Sequence, residues 1–233
     1  MTEALRRAAA EAWAFRTRVE LEAARRFARL AGTVAAFDPD SPVPALLREA
    51  AQDERRHAAL CAALTAAYGR TPPGETADAL IAPQALDPRS AALYEMVAAC
   101  CITETESVAT LSTLLSEEAE PEVERVLREI ARDEVAHGRM GWAHLAREAA
   151  SGDVTFLSPL IPAMLSGTVG DGLFAPAGPD LESRELLRHG VLPHSQKRAT
   201  FTGTLRGVVF PGLEKFGIDC GPARAWLSAR EQS

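Results

Sequence analysis

The chain has 233 residues, of which 47% are hydrophobic and 24% charged, enough for one sizeable buried core. Its formal net charge of -7 leaves no basic field for a nucleic acid or an anionic membrane, and nearly all of its cations are Arg, with Lys only at Lys197 and Lys215. The N-terminal MTEALRRAAAEAWAFRTR mixes charges of both signs without an apolar core or small-residue cleavage pattern, and no stretch approaches the ~18 uninterrupted apolar residues of a membrane span. A cytoplasmic location is expected. Cys61, Cys100, Cys101 and Cys220 form no CxxC pair, which argues against a zinc site and a disulfide framework.

In chain order, Trp13, Val19, Leu21, Phe27, Leu30 and Val34 recur at helical spacing and predict a first helix. FDPDSPVP stops it, with Asp40 or Ser41 available to cap a second helix from Pro44 to Tyr68 that Gly69 ends. Residues 69–89 hold four prolines and two glycines and read as a long connection. A third helix is expected over Ser90–Ser116 and a fourth from EEAEPEVER, where Pro121 suits the first turn, to Ala150. After Gly152 the texture turns Pro- and Gly-rich, and a fifth helix over Pro193–Phe210 precedes the short segment PGLEKFGI. The expected fold is all-α: a ferritin-like four-helix bundle over residues 1–150, two antiparallel hairpins joined by a long crossover. Residues 151–233 are expected to wrap the bundle within the same domain, as an irregular extension carrying the fifth helix.

Residues 53–57 read DERRH and residues 133–137 read DEVAH, in a chain with five histidines. Positions i and i+3 share a helix face, so Glu54 with His57, and Glu134 with His137, can each bind one ion, the carboxylate neutralising charge and the imidazole supplying a nitrogen ligand. One such pair is weak evidence. Both pairs, however, lie on apolar faces, the first with Leu47, Ala51, Ala58, Cys61 and Leu64, the second with Val123, Val126, Ile130 and Gly141. Carboxylates aimed at a core are costly unless paired or metal-bound.

Residues at one depth of an antiparallel hairpin are equidistant from its turn. Glu20 and Glu54 have their midpoint at residue 37, in the first turn, and Glu104 and Glu134 have theirs at residue 119, in EEAEP. Glu106 fits that second turn nearly as well and stands as the alternative to Glu104, whose stripe through Val97, Cys100, Cys101, Val108, Leu111 and Leu115 is the more apolar. Each motif also begins with Asp. A metal-bound His needs an acceptor for its other ring nitrogen; Asp53 can serve His137 and Asp133 can serve His57, or each can pair with Arg56 or Arg132 at the surface.

The series Glu20, Glu54-x-x-His57, Glu104, Glu134-x-x-His137 resembles the signature of the ferritin-like di-iron carboxylate superfamily, which includes rubrerythrins and di-iron oxygenases. ELEAARRFARLA, DERRHAALC, DEVAHGRMGW and the tail HGVLP...VVFPGLEKFGI resemble bacterial ferritin-like domain proteins. The resemblance implies two metal ions, iron with manganese as the alternative, bridged by Glu54 and Glu134 with Glu20 and Glu104 terminal and one His per ion; it also implies packing into homodimers. O2 or peroxide would be the oxidant. Three readings stay open: an oxidase or oxygenase acting on a small organic molecule, an iron-oxidising or peroxide-scavenging protein, and a metal-free bundle with a buried polar network. A rubredoxin-like module is lacking, the tail exceeds what a ferritin cage needs, and Tyr94 and Tyr68 lie too far along their helices for a radical role. Neither the substrate nor the electron donor has a motif. Of the rest, His144 is expected to be packed or solvated and His189 and His194 to be surface residues. Cys61 reads as a small buried hydrophobe, and Arg16 and Thr17, a turn before Glu20, are placed to sit at a pocket mouth.

Overall fold

The computed structural model describes residues 1–74, 77 and 79–232, and every regular element among them is helical. Helix α1 runs Glu3–Phe37 and α2 runs Val43–Ala67; they pack antiparallel along their lengths. The third rod of the bundle is built of α3, Pro88–Met96, a π-helical stretch, Val97–Thr103, and α4, Glu104–Leu115. It pairs with α5, Pro121–Ser151. No helix among the described residues is long and apolar enough to cross a membrane.

Helix α1 starts ten residues before the expected Trp13. Thr2 caps it by accepting from the Leu5 amide at 3.3 Å, and Leu5, Ala9 and Ala10 are buried. In so Ala-rich a segment the contrast between faces is low, so periodicity alone does not reveal it. Ser41 accepts from the Val43 amide and opens α2, while Gly69, at φ 87°, ends the turn that follows it. Asp87 caps α3 through the Arg89 and Ser90 amides, and Pro121 takes the first turn of α5 as expected.

The π stretch is the bundle's main departure from regular helix. It inserts an extra residue per turn and marks a place where packing competes with helical hydrogen bonding. The competing contact is with α5: a Cβ on Gly141 would lie 2.2 Å from the Cys100 Cβ, and one on Gly138 would meet the Glu104 Cβ at 4.0 Å. Two glycines inside a helix weaken it by roughly 1 kcal/mol each, and here they allow α5 to approach the strand of chain that delivers Glu104. Cys100 and Cys101 face two different apolar clusters and are both fully buried.

The extension is more regular than expected. It contains short 3₁₀ segments, α6 (Ile161–Thr168), α7 (His194–Thr204), α8 (Phe210–Glu214) and α9 (Gly221–Glu231). The expected fifth helix is α7 carried through a second π turn into α8, which takes up the start of PGLEKFGI. Helix α9 was not foreseen, because only Ala223 and Leu227 of its short sequence are buried. Leu157, Ile161, Phe201, Leu205 and Phe210 of the extension share one core cluster with Val97, Ile102 and Leu145 of the bundle. At the other end Leu187 and Leu192 join Trp13, Leu64, Leu114 and Val123.

Gly141→Ala is therefore expected to overpack the α5 contact and lower stability by about 1–3 kcal/mol, offset by the ~1 kcal/mol helix-propensity gain. Thermal unfolding followed by circular dichroism should show a melting temperature reduced by several degrees, since about 2–4 °C accompanies each kcal/mol at this size. An unchanged or higher melting temperature would mean the close approach is not tight.

Candidate metal centre

All six residues singled out by spacing meet in the middle of the bundle. One ligand atom from each of Glu20, Glu54, His57 and Glu134 lies within 4.8 Å of the others, and the same holds for Glu54, Glu104, Glu134 and His137. Two quartets thus share Glu54 and Glu134. His57 Nδ1 is 3.7 Å from Glu20, 3.5 Å from Glu54 and 3.7 Å from Glu134. His137 Nδ1 is 2.9 Å from Glu54 and 3.4 Å from Glu134. Glu106 belongs to neither quartet; it is half-buried and accepts the Thr110 hydroxyl at 2.9 Å. The π stretch ends at Thr103, so Glu104 is the first residue of α4.

The leading aspartates do both things that spacing allowed. His57 Nε2 donates to Asp133 at 3.1 Å and His137 Nε2 to Asp53 at 3.3 Å. Arg56 reaches both, at 3.0 Å from Asp53 and 2.5 Å from Asp133. One guanidinium thereby ties the two aspartates together across α2 and α5. A carboxylate only accepts, so each imidazole carries a proton on Nε2 and, in its neutral form, offers Nδ1 inward. This joint role of Arg56 was not foreseen, although its pairing with the aspartates was.

The remaining histidines stand apart. His144 is buried, with burial lowering its pKa and Nδ1 unpartnered. His194 is half-buried and bonds the Gly172 carbonyl. His189, expected at the surface, is instead buried: its carbonyl accepts from Trp13 Nε1 at 2.9 Å and its ring bonds the Tyr68 hydroxyl at 3.1 Å. Gly190, at φ 72°, lets the chain turn over the Trp13 ring there. A cavity of about 310 Å³ lies along the π stretch, lined by Arg26, Tyr94, Thr103 and Met164 among others, and none of the six cluster residues borders it.

The family model for rubrerythrin matches residues 14–144, more than half of the chain and the whole of the cluster. The chain belongs to the rubrerythrin family. No curated protein matches it. Among solved structures, a Synechococcus protein described as having aldehyde deformylating oxidase activity matches at a TM-score of 0.57 and 16% identity, over 98% of this chain and 100% of that one. That likeness is one of fold.

Whether this rubrerythrin-family cluster fits metal ions is a question of charge and of unmet donors. Glu54 Oε1, Glu134 Oε2 and the Nδ1 atoms of His57 and His137 are buried without hydrogen-bond partners, and all four belong to the shared space of the quartets. Burial, and the charges of Glu20 on Glu54, Glu54 on Glu134 and Glu134 on Glu104, push these three carboxyls well above their usual range. Burial also opposes ionisation of Glu20, but Glu54, His57 and Arg16 outweigh it and hold its carboxyl low. Burial likewise lowers the two imidazoles, yet the surrounding carboxylates carry each up to about 9. Two divalent cations would satisfy these four atoms and balance the four glutamates. The residues fit.

Metal must displace the protons that the raised groups hold at neutral pH, so affinity should rise with pH toward about 9, the value reached by both imidazoles. Calorimetric metal titrations in two buffers of different ionisation enthalpy should reveal net proton release; heats independent of the buffer would contradict it. Asp133→Ala, which frees the His57 ring to turn, should weaken metal binding about 10–100-fold in chelator competition. Affinity within twofold of wild type would leave Asp133 as a surface partner of Arg56.

Proposed function

We propose that the chain is a non-haem di-iron oxidoreductase that activates O2 and oxidises a small organic substrate. The observation that carries this reading is the pair of quartets sharing Glu54 and Glu134. Glu20 and His57 would hold one ion and Glu104 and His137 the other, with Glu54 and Glu134 shared between the two quartets. Four carboxylates and two imidazoles suit iron, with manganese as the alternative. When bound, two ferrous ions would supply electrons for the reduction of O2.

The protein's own contribution is positional. The two aspartates and Arg56 hold both rings with Nδ1 inward, and Phe27 rests edge-on to His137 at a centroid distance of 5.8 Å. On the opposite side α1 and α4 come close at almost no point, whereas α4 packs on α5 and α7. Glu20 and Glu104 border that seam, so a small molecule can approach between the two terminal carboxylates. Terminal carboxylates carried by two helices with few backbone approaches, and the long extension packed on α4, support substrate oxidation over a closed iron-oxidising centre. The fold likeness to an oxidase supports the reaction class and leaves the substrate to the residues of this seam.

Loaded with ferrous iron under argon, the chain should hold two ions by elemental analysis and consume O2 on mixing. Glu54→Ala and Glu134→Ala, each removing a shared ligand, should lose both ions and abolish rapid O2 uptake, while Glu106→Ala should keep two ions. Undiminished iron and O2 uptake in either shared-ligand variant would refute the assignment.

A further inference from the structure

Arg16 lies one helical turn before Glu20 on α1, about 6 Å back along the axis on the same face. Its Nη1 is buried and has no hydrogen-bond partner. The guanidinium carbon sits 4.7 Å from the centre of the Trp13 ring, a contact that uses the face of the group and leaves its edge donors free. The Cys61 thiol, Glu20 and Glu106 are the ionisable groups that face it, and burial lowers its pKa. Lys197 of α7 stands in the same space, close to Arg16 and Glu106, with Nζ 5.7 Å from the centre of the Phe15 ring.

These groups lie between α1 and α4, which have few backbone approaches, with α7 packed on α4 and Lys197 on its exposed side. From Thr105 to Thr110 every residue of α4 is half-buried, so no neighbouring helix closes over any face of this stretch. With the four glutamates balanced by two divalent ions, the seam is left with two cations, Arg16 and Lys197, against the single carboxylate of Glu106. A buried guanidinium with an unmet donor is costly, and its planar fork matches a carboxylate better than any other small anion of organic metabolism save phosphate.

We propose that this seam is the substrate site and that Arg16 anchors the carboxylate of a small organic acid, holding the rest of the molecule about one helical turn away, at the metal centre. Trp13 and Cys61, both fully buried, give the anchor an apolar floor. Lys197 adds charge from the extension, and Glu106 competes with the ligand for Arg16. The role in oxidation rests on the di-iron reading; the binding of the acid does not.

The test is calorimetric titration of hexanoate and of benzoate into the full chain, both loaded with two ferrous ions under argon and metal-free, with hexan-1-ol as the uncharged control. At least one acid should bind both forms at least tenfold more tightly than the alcohol. Arg16→Met should weaken that acid at least tenfold and erase the preference over the alcohol, with iron stoichiometry unchanged. Glu106→Gln, which spares the anchor, should tighten the acid severalfold and keeps the question decidable if Arg16→Met does not fold. The proposal is overturned if neither acid binds, if the alcohol binds as tightly, if Arg16→Met stays within twofold of wild type, or if Glu106→Gln weakens the acid. Inorganic phosphate binding at least tenfold more tightly than both acids would overturn the carboxylate class. Failure of the chain to hold iron would sink the di-iron reading alone, because the metal-free titration still decides the role of Arg16.

Discussion

Four carboxylates brought together in the apolar centre of a helical bundle are a charge problem, and the rest of the structure depends on its solution. An idealised transfer of one such ion into a low-dielectric interior costs on the order of 20 kcal/mol, and several kcal/mol even after relaxation. Protonation relieves the cost, which is why burial and mutual repulsion raise Glu54, Glu104 and Glu134 so far. Protonation also raises the two imidazoles to about 9 and turns their inward Nδ1 atoms toward the surrounding carboxylates as donors, their Nε2 atoms being committed to aspartates. A pair of cations would replace these protons and meet both demands at once. Metal-free, the centre is a concentrated source of instability in an otherwise apolar core; loaded, it joins all four rods of the bundle.

The secondary structure bends to serve that centre. In the rod that carries Glu104 the helix widens to a π stretch, where Thr103 Oγ1 donates to the Ala98 carbonyl five residues back at 3.0 Å. Gly138 and Gly141 clear the facing surface of α5. The extension then closes the two ends of the bundle by different means: a continuous apolar cluster around Phe201 and Phe210 at one end, and hydrogen bonds from Trp13 and Tyr68 to His189 at the other. Between them α7 packs on α4 and carries Lys197, which links the least regular part of the sequence to the substrate side of the centre.

Much of this was legible before any coordinates. Glu20, Glu54, His57, Glu134 and His137 could be placed because an antiparallel hairpin converts distance from the turn into depth, a rule that needs only helices and short turns. The choice between Glu104 and Glu106 was harder, since the two fit the turn almost equally. In the structure Glu104, not Glu106, stands with the cluster, directly after a π stretch whose sequence, VAACCIT, carries no signature beyond being apolar. The start of α1 and all of α9 escaped periodicity because Ala-rich or short helices show little contrast between faces. His189 was misjudged as a surface residue because its burial comes from Trp13, 176 positions away. Arg16 could be placed a turn before Glu20, but its burial and unmet donor are not legible beside its exposed neighbour Arg18.

The central claim is that one buried cluster holds two metal ions between two shared glutamates. Anomalous diffraction at the iron edge from crystals of the ferrous-loaded chain addresses it most directly. The account predicts two peaks about 3.5–4 Å apart, each beside the Nδ1 of one histidine, with Glu54 and Glu134 spanning both. A single peak, peaks placed at the Nε2 atoms, or density confined to the protein surface would contradict it.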